Sequence, residues 1–492
     1  MAYYIGADLG TSSCKLILCD ETEQILRTVT KSYDVQYPHP GWSEQDPHDW
    51  WTAFSEGVRE LAEGISPAEV KGICVAGQMH GLVILDEKDQ VIRPAILWND
   101  GRTAAENDFL NREIGQAFLA AHTANISFAG FTAPKILWVK NREPENFAKI
   151  QKIMLPKDYI NYRLTGVHAC DYSDASGMLL LDVEHRCWSK EMLEICGVTE
   201  GQMPALFESY QSIGTVLPEI AEALGLSPLT VVAAGAGDNA GAAVGTGTVG
   251  EGRCNISIGT SGTVFLSAGE FCKTDNNTLH AFCHADGAWH LMGCTLSAAS
   301  CNKWFCEEVL GTSDYESLQA GIFDDLLGNN HVFFLPYLMG ERTPVNDTDA
   351  SAVFLGLRPS DGRREMLLAV MEGVCFALRD CVELARAAGA SPSFSTVSGG
   401  GARSELWMRI LANVLNLEIR IPETEEGPAL GGVKLAAAAA EGSKEPLFRR
   451  TQAIRRVVRP DPAIAARYEK KYRNYQKIYP QMKSLFQDLK GN

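Results

Sequence analysis

The 492-residue chain lacks the usual marks of secreted, membrane-spanning and nucleic-acid-binding proteins. None of its 14 cysteines forms a Cys-x-x-Cys pair, which argues against zinc ribbons and disulfide frameworks and favours reduced thiols in the cytoplasm. No basic run is longer than a pair and the net charge is −17, so we expect neither nucleic acid nor an anionic membrane as a partner. A signal peptide is not expected, and no apolar run reaches membrane-spanning length.

Low-complexity linkers and short-period repeats are also missing from the chain. A hydrophobic content of 46% and a charged content of 21% are ordinary for a globular protein, and the length predicts two or three domains. Strand-like apolar runs alternate with helical patterns, which favours the α/β class.

Three segments carry strong helix signals. Asp46-Pro47 and Asp461-Pro462 each predict a helix start, since aspartate caps a helix and proline is favoured at its first position. The small residues of Pro428–Glu441 predict a helix packed tightly on a neighbour. The last helix is predicted to carry a tyrosine stripe that serves as a docking face: Tyr468, Tyr472, Tyr475 and Tyr479.

One phrase occurs twice, about half the chain apart: Gly10-Thr11-Ser12 and Gly259-Thr260-Ser261. Strand-like runs flank each copy, so both are predicted to be turns of β-hairpins. Glycine lets the backbone approach a ligand closely, and N–H groups with hydroxyls suit phosphate oxygens. A single copy is an ordinary turn sequence, but two copies favour a duplicated α/β fold.

That duplication is typical of the actin-like ATPases, which have two ribonuclease H-like domains and a central ligand cleft. We therefore predict an N-terminal domain over residues 1–247 and a C-terminal domain over residues 248–492. A helical extension is predicted from about residue 443 to the end of the second domain.

Two acids and one lysine are candidates for phosphoryl-transfer chemistry. Asp8 ends the first strand and is either a turn-capping residue or a carboxylate that holds Mg²⁺ near the phosphates of ATP. Lys15 follows the first turn and is either an exposed strand lysine or a positive charge for the same phosphates. Asp238 stands where a buried strand meets a helix, and is either an N-cap or the base that accepts a hydroxyl proton.

Polar groups at two other strand ends are candidates for ligand binding. Gln78 and His80 follow a predicted strand, and with Asn239 they suit hydrogen bonds to sugar hydroxyls. Gly399, Gly400, Gly401 and Ala402 lie between a strand and a helix. They are either a generic glycine-rich loop or a flat surface for adenine and ribose.

Several motifs, in the same order along the chain, resemble those of the FGGY family of carbohydrate kinases. They are Asp8–Ser13, Pro40–Pro47, Pro336–Pro344, and Gly399–Ser404 with Trp407. Further segments are similar to those of family members that phosphorylate the ketopentose D-xylulose: Gln78–Gly81, Arg93–Asp100, Gly130–Lys135 and Leu296–Ser300. Glycerol kinases have Arg-Glu where Met79-His80 stand here, so glycerol is disfavoured.

The resemblance implies an ATP-dependent kinase that converts D-xylulose to D-xylulose 5-phosphate with Mg²⁺. It implies that Met79, His80 and Asn239 contact the sugar, that Asp238 is the base, and that ATP lies mainly on the C-terminal domain. A homodimer is expected from the same resemblance. D-Gluconate, L-xylulose and other pentuloses or pentitols stay open as substrates.

The sequence disfavours two other classes of protein. An actin-like protein that uses ATP as a switch would lack a sugar pocket, so Gln78–Gly81 and Asp238-Asn239 argue against it. A sugar-binding regulator without catalysis is disfavoured because both candidate acids and both turns are present.

Overall fold

The computed structural model describes residues 1–275, 277–423, 426–449 and 453–489. The chain divides into two compact units, of which the first comprises Met1–Val249, Ala281–Trp289 and Glu426–Thr451. The second unit comprises Gly250–His280, His290–Glu425 and Gln452–Asn492. The main change of unit is close to the boundary predicted between residues 247 and 248, but two later segments return to the first unit. Within the predicted helical extension, residues 450–452 and 490–492 lie outside the described residues.

Residues 1–249 form fifteen strands and ten α-helices. The strands are β1 (Tyr3–Leu9), β2 (Ser13–Asp20), β3 (Ile25–Ser32), β4 (Glu44–Gln45), β5 (Val70–Gly77), β6 (Val83–Leu85), β7 (Ala95–Ile96), β8 (Lys152–Met154), β9 (Ala169–Asp171), β10 (Leu181–Asp182), β11 (Cys187–Trp188), β12 (Ala205–Phe207), β13 (Ser212–Thr215), β14 (Val231–Ala233) and β15 (Ala236–Gly237). The helices are α1 (Pro47–Ala62), α2 (Ala104–Asp108), α3 (Gln116–Thr123), α4 (Thr132–Arg142), α5 (Pro144–Phe147), α6 (Pro156–Thr165), α7 (Tyr172–Ala175), α8 (Lys190–Cys196), α9 (Pro218–Leu224) and α10 (Asp238–Gly245).

The rest of the chain continues the alternation of strands and helices. Its strands are β16 (Arg253–Ile258), β17 (Gly262–Ala268), β18 (His280–Cys283), β19 (Trp289–Thr295), β20 (Phe333–Leu335), β21 (Val353–Leu355), β22 (Phe394–Ser398), β23 (Ile419–Pro422) and β24 (Ile454–Val458). Its helices are α11 (Ala299–Trp304), α12 (Tyr315–Gln319), α13 (Arg363–Ala387), α14 (Glu405–Leu415), α15 (Gly427–Glu441), α16 (Glu445–Phe448), α17 (Pro462–Tyr475) and α18 (Ile478–Leu489).

The first unit is built on a mixed sheet in the order β13-β14-β5-β1-β2-β3, with β15 also paired to β5. Strands β1, β2 and β3 are antiparallel neighbours, whereas β5 is parallel to β1 and β14 is parallel to β5. The edge strand β13 is antiparallel to β14. Helix α1 covers one face with buried apolar residues such as Trp50, Phe54 and Val58, as its apolar stripe predicts.

The second unit repeats this layout. Strands β19, β17, β16, β22, β23 and β24 follow one another across its sheet. Strand β16 forms an antiparallel hairpin with β17 and is parallel to β22; β23 is parallel to β22, and β24 is antiparallel to β23. Both sheets thus contain an antiparallel hairpin, followed by two parallel strands and then an antiparallel edge strand. The duplication predicted from the repeated phrase is present in the strand order of the two units.

Helix α15 is the small-residue helix predicted from the sequence, and it packs on the first unit's sheet. A Cβ atom added at Gly6 would lie 2.0 Å from the Ala429 carbonyl oxygen, and one at Gly431 would lie 1.9 Å from the Gly241 oxygen. Real Cβ atoms do not approach backbone this closely, so this packing requires glycine. The contacts assign α15 to the first unit, although it lies within the residues predicted for the second.

The tyrosine stripe docks on α13 within the second unit. The rings of Tyr468, Tyr472 and Tyr475 lie 6.1, 5.8 and 5.0 Å from the Phe376 ring, between centroids. All three tyrosines are buried, so their prediction as a docking face is confirmed. Tyr479 is different, because α17 ends at Tyr475 and Tyr479 belongs to the next helix, α18.

All 14 cysteines are free thiols, and most of them are buried, as the sequence predicts. Among the described residues, no helix combines the length and the apolar character needed to cross a lipid bilayer.

Candidate functional site

Strand register brings the candidate acids of the first unit to one edge of its sheet. Asp8 of β1 lies opposite Lys15 of β2 and beside Ala76 of β5. Ala76 lies in turn beside Ala236 of β15, and Asp238 begins α10 two positions after Ala236. Because parallel strands end at the same edge of a sheet, residues from three separate segments meet there.

The electrostatics of this edge are dominated by carboxylates. Burial, together with the negative charges of Asp238 and Glu426, raises the pKa of Asp8 to about 7, while Lys15 opposes the change. Burial raises the pKa of Asp238 to about 6. The ammonium of Lys15 is already engaged, because it forms a 2.6 Å ion pair with Glu426 at the start of α15. The edge therefore holds three carboxylates and one ammonium.

The first repeated turn is a hairpin turn, as predicted, and a buried glutamine network supports it. Gly10 donates its N–H to the Ser13 carbonyl at 3.0 Å. Gln45 donates to the Thr11 carbonyl oxygen at 2.7 Å, and its own side-chain oxygen accepts hydrogen bonds from Trp50 and Gln78. Ser12 at the tip of the turn is exposed.

Gln78 belongs to this support, which corrects its assignment to sugar binding. Its side chain is buried, accepts a hydrogen bond from the Thr11 hydroxyl at 3.3 Å, and donates to the Gly10 carbonyl at 3.4 Å. These contacts occupy both ends of the amide, so the residue holds the turn in place.

Met79 and His80 lie against the segment around Gly177. His80 Nδ1 is 2.7 Å from the Gly177 carbonyl oxygen; since a carbonyl only accepts, the hydrogen is on Nδ1. The imidazole also stacks on Phe131, with ring centroids 4.6 Å apart. Met79 packs so closely on Gly177 and Gly237 that a Cβ atom at either glycine would be about 3 Å or less from its side chain.

His80 has a left-handed backbone with φ of 69°, a conformation that is uncommon for residues other than glycine. Its carbonyl oxygen accepts hydrogen bonds from Lys135 Nζ at 2.8 Å and the Thr132 hydroxyl at 3.1 Å. Lys135 is fully buried and also donates to the Gly130 carbonyl. Burial lowers the pKa of Lys135 well below its usual range. This lysine therefore fixes the backbone from which the imidazole projects.

Asn239 is directly bonded to the carboxylate of Asp238. Its backbone N–H and its side-chain amide donate to Asp238 Oδ1 at 2.7 and 2.9 Å. Both bonds lower the pKa of Asp238 and so oppose part of the effect of burial. The Asn239 amide nitrogen is also 3.9 Å from the Met79 sulfur, so the four residues predicted to surround a sugar lie together.

The second repeated turn has the same position in the second unit. Gly259, Thr260 and Ser261 join β16 to β17, and a neighbouring segment supports them. The Gly259 and Thr260 carbonyls accept hydrogen bonds from the backbone N–H groups of Ala299 and Ala298. Glu341 in turn accepts the Leu296 N–H at 2.7 Å, and burial raises its pKa to about 8.

The glycine-rich loop after β22 lies beside the second turn. Gly399 has φ of 85°, and a Cβ atom there would lie 2.7 Å from the Ile258 carbonyl oxygen. A Cβ atom at Gly401 would also meet Ile258, at 2.5 Å from its side chain, whereas a Cβ atom at Gly400 would meet nothing within 4 Å. Ala402 N–H closes the loop onto the Gly399 carbonyl. Glycine thus permits close packing on one side and leaves an open surface on the other.

The sequence predictions missed the supporting residues Gln45, Lys135 and Glu426. Gln45 and Lys135 belong to segments that carry the family resemblance. The residues of those segments do not indicate which side chains hydrogen-bond to the turn or to His80. The one signal in the sequence that Lys135 is buried is its position directly before the apolar run Ile136–Val139. An exposed lysine would not need apolar neighbours.

Comparison with known proteins is decisive for the family. The model of the FGGY family of carbohydrate kinases matches with its N-terminal domain over residues 3–245 and with its C-terminal domain over residues 254–440. The chain belongs to the FGGY family of carbohydrate kinases. FGGY kinases transfer phosphate from ATP to sugars, so this chain is a sugar kinase and ATP is its phosphate donor.

Characterised FGGY relatives cover almost the whole chain. The xylulose kinase of Escherichia coli K12 is 42% identical over 485 residues, which is 98% of this chain and 99% of that protein. The xylulose kinase of Bacillus subtilis is 36% identical over 500 residues, covering 100% and 99% of the two chains.

Solved structures confirm the predicted two-domain α/β fold of the ribonuclease H-like, actin type. The crystal structure of a xyloylose kinase from Brucella ovis has 40% identity and a TM-score of 0.93, covering 98% of this chain and 100% of that one. A gluconate kinase from Lactobacillus acidophilus has the same TM-score at 25% identity, covering 99% of both chains.

Proposed function

We propose that this FGGY kinase phosphorylates the terminal primary hydroxyl of D-xylulose to give D-xylulose 5-phosphate. The observation that carries the proposal is that Asn239, which bonds the Asp238 carboxylate, lies beside Met79, and that Met79 and His80 pack together on Gly177. The xylulose kinases of E. coli and B. subtilis, which match nearly the full chain, support the same substrate.

In this proposal Asp238 accepts the proton of the sugar hydroxyl as the phosphoryl group is transferred. Phosphoryl transfer depends mainly on positioning and charge stabilisation. It also needs one carboxylate that orients the attacking hydroxyl. The two hydrogen bonds from Asn239 fix one carboxylate oxygen, which leaves the other oxygen for the substrate. Met79 and His80 line the sugar, and the His80 imidazole hydrogen-bonds one of its hydroxyls.

The carboxylate edge fits a magnesium ion. Mg²⁺ is bound by one or two protein carboxylates together with water and phosphate oxygens, and the described residues hold no group of three or more metal-ligating side chains that would bind it alone. The negative charge of Asp238 raises the pKa of Asp8, so a divalent cation beside Asp8 relieves a repulsion that the protein leaves in place. The ion supplies charge stabilisation to the phosphates when bound.

We assign the phosphates of ATP to the two repeated turns, Gly10–Ser12 with Lys15 and Gly259–Ser261. The adenine and ribose are assigned to the open surface of Gly399–Ala402. Hydrogen bonds to the turn carbonyls, from Gln45 in one unit and Ala299 in the other, support this assignment because they fix the turns before ATP binds.

D-Gluconate is the second candidate substrate, because the gluconate kinase of L. acidophilus has a TM-score of 0.93 with this chain. The test is a coupled ADP-release assay with D-xylulose, L-xylulose, other pentuloses, pentitols and D-gluconate. The proposal predicts the highest kcat/KM for D-xylulose. A higher value for D-gluconate or a pentitol would contradict it. A cytoplasmic location and a homodimer also stay predictions.

Activity is expected to fall on the acid side as Asp238 becomes protonated. The pKa of Asp238 is about 6, so kcat/KM for the sugar should decline as the pH drops through that value, since a protonated carboxyl cannot accept the proton. The measurement is kcat/KM at saturating MgATP from about pH 5 to about pH 8. The Asn239→Ala variant should shift the decline to higher pH, because it removes a hydrogen bond that lowers the Asp238 pKa. A flat profile down to about pH 5 would contradict the assignment.

Replacing His80 by alanine is expected to weaken sugar binding selectively. A typical hydrogen bond contributes about 0.5–1.5 kcal/mol, so the sugar KM should rise by roughly 2- to 12-fold while the KM for ATP stays unchanged. The exposed His185 provides the control variant His185→Ala. Equal effects on the two KM values of the His80 variant would show that His80 does not contact the sugar.

A further inference from the structure

A buried ionic cluster lies behind the candidate site in the first unit. Lys157 Nζ is 2.5 Å from Asp158, 2.9 Å from Asp171 and 3.6 Å from Asp174, and all four side chains are at most 1% exposed. Buried ion pairs are often no more stable than apolar residues of the same volume. Stability alone therefore does not explain why the fold keeps these charges.

One serine links this cluster to the backbone next to Asp238. The Ser173 hydroxyl is 2.5 Å from Asp171 Oδ2, and the Gly237 N–H donates to Ser173 Oγ at 3.2 Å. Because an ionised carboxylate only accepts, the hydroxyl hydrogen points to Asp171 and a lone pair remains for Gly237. The direction of every bond in the chain Gly237 to Ser173 to Asp171 is therefore fixed, and Lys157 holds the carboxylate at its end.

Gly237 has almost no freedom to move around this bond. It pairs with Gly77 in the sheet, and a Cβ atom on it would lie 2.9 Å from the Met79 sulfur. Its own N–H is held by Ser173, and the next residue is Asp238, the first residue of α10. A displacement of Gly237 therefore moves the Asp238 backbone directly.

We propose that Ser173 is a positioning residue for Asp238, which it orients through the Gly237 N–H while the buried Lys157–Asp171 pair fixes the hydroxyl. The inference rests on the proposed function, because it takes Asp238 as the group that accepts the sugar proton. Displacing a reacting group by about 1 Å lowers the rate by about 100-fold. Small losses of alignment therefore have large effects on kcat without affecting substrate affinity.

The test compares Ser173→Ala with Ser209→Ala. Both serines are buried and both donate to Asp171 Oδ2, Ser209 at 2.7 Å, but the Ser173 hydroxyl alone also accepts the Gly237 N–H. We expect Ser173→Ala to lower kcat by roughly 10- to 100-fold, with unchanged dissociation constants for D-xylulose and MgATP by calorimetry. Ser209→Ala should show a clearly smaller loss of kcat. Equal losses would overturn the proposal, because they would make the hydrogen bond to Asp171 the decisive contact.

Two further variants of Ser173 distinguish the positioning role from a purely structural one. Ser173→Thr keeps the hydroxyl and should retain most of the wild-type kcat. Ser173→Cys has only a weak hydrogen-bond donor and should lose as much kcat as is expected for Ser173→Ala. It supplies this measurement if the alanine variant does not fold. Ser189→Ala is the control for lost stability. It removes another buried hydroxyl that accepts a backbone N–H, at the N-cap of α8. A Ser173→Cys enzyme with wild-type kcat would reject the positioning role.

Failure of the proposed function gives a different result. If wild-type protein does not phosphorylate D-xylulose, the substrate assignment fails before any variant is compared. If wild type is active and Asp238→Ala is inactive, but Ser173→Ala matches wild type, the positioning role alone fails.

Discussion

Asp238→Ala is expected to lower the kcat of sugar phosphorylation by about 10²- to 10⁴-fold, which is the usual contribution of a general base. The carboxylate stands at the first position of α10, and Asn239 holds one of its oxygens. Its removal leaves Asp8, Lys15 and both turns intact, so the dissociation constant for MgATP should not change. The measurement is steady-state kcat together with nucleotide affinity by calorimetry.

The matched control for Asp238 is Asp49→Ala. Asp49 also lies in the first turn of a helix, but it is exposed and lies on α1, which carries none of the candidate residues. It should retain wild-type kcat. Near-normal turnover in Asp238→Ala would reject Asp238 as the base, and a large loss of MgATP affinity would show that it acts on the nucleotide.

Lys157→Met is expected to cause the largest loss of stability, about 3–5 kcal/mol, because breaking a buried ion pair leaves uncompensated charges. Burial lowers the pKa of Lys157, but Asp158 and Asp171 outweigh it and raise the pKa well above the usual range. The lysine is therefore charged at all working pH values. Removing it leaves the side chains of Asp158, Asp171 and Asp174 in the protein interior without the ammonium that pairs with them.

The free energy of unfolding, from urea denaturation of the full chain, measures this effect. Lys152→Met is the control, because Lys152 pairs with Asp89 at the surface and such pairs contribute about 0–1 kcal/mol. Similar losses in the two variants would mean that the buried cluster does not stabilise the first unit.

Local patterns were sufficient to predict the elements that carry the site. The repeated Gly-Thr-Ser phrase predicted both hairpin turns, and the strand-to-helix signal at Asp238 predicted the start of α10. These predictions succeed because a turn or a helix start depends on a few consecutive residues. The duplicated topology followed from the spacing of the two phrases.

Contacts between distant segments could not be predicted in the same way. Helix α15 lies within the residues predicted for the second domain but packs on β1 and α10 of the first unit. Gln78 suits a sugar by its chemistry, yet its amide is used by a turn 67 residues away. In the sequence, Lys157 resembles an exposed surface lysine. In the fold it is buried and pairs with three acids, one from its own helix and two from other elements.

We propose that the first unit presents a sugar hydroxyl, and not water, to the phosphate of ATP. The most direct test is ³¹P nuclear magnetic resonance of a reaction that contains the wild-type protein, MgATP and D-xylulose. We expect one sugar phosphate, whose phosphorus is coupled to the two protons of the C5 methylene group, in equal amount to ADP. Inorganic phosphate as the main product, or phosphate on another carbon, would contradict it.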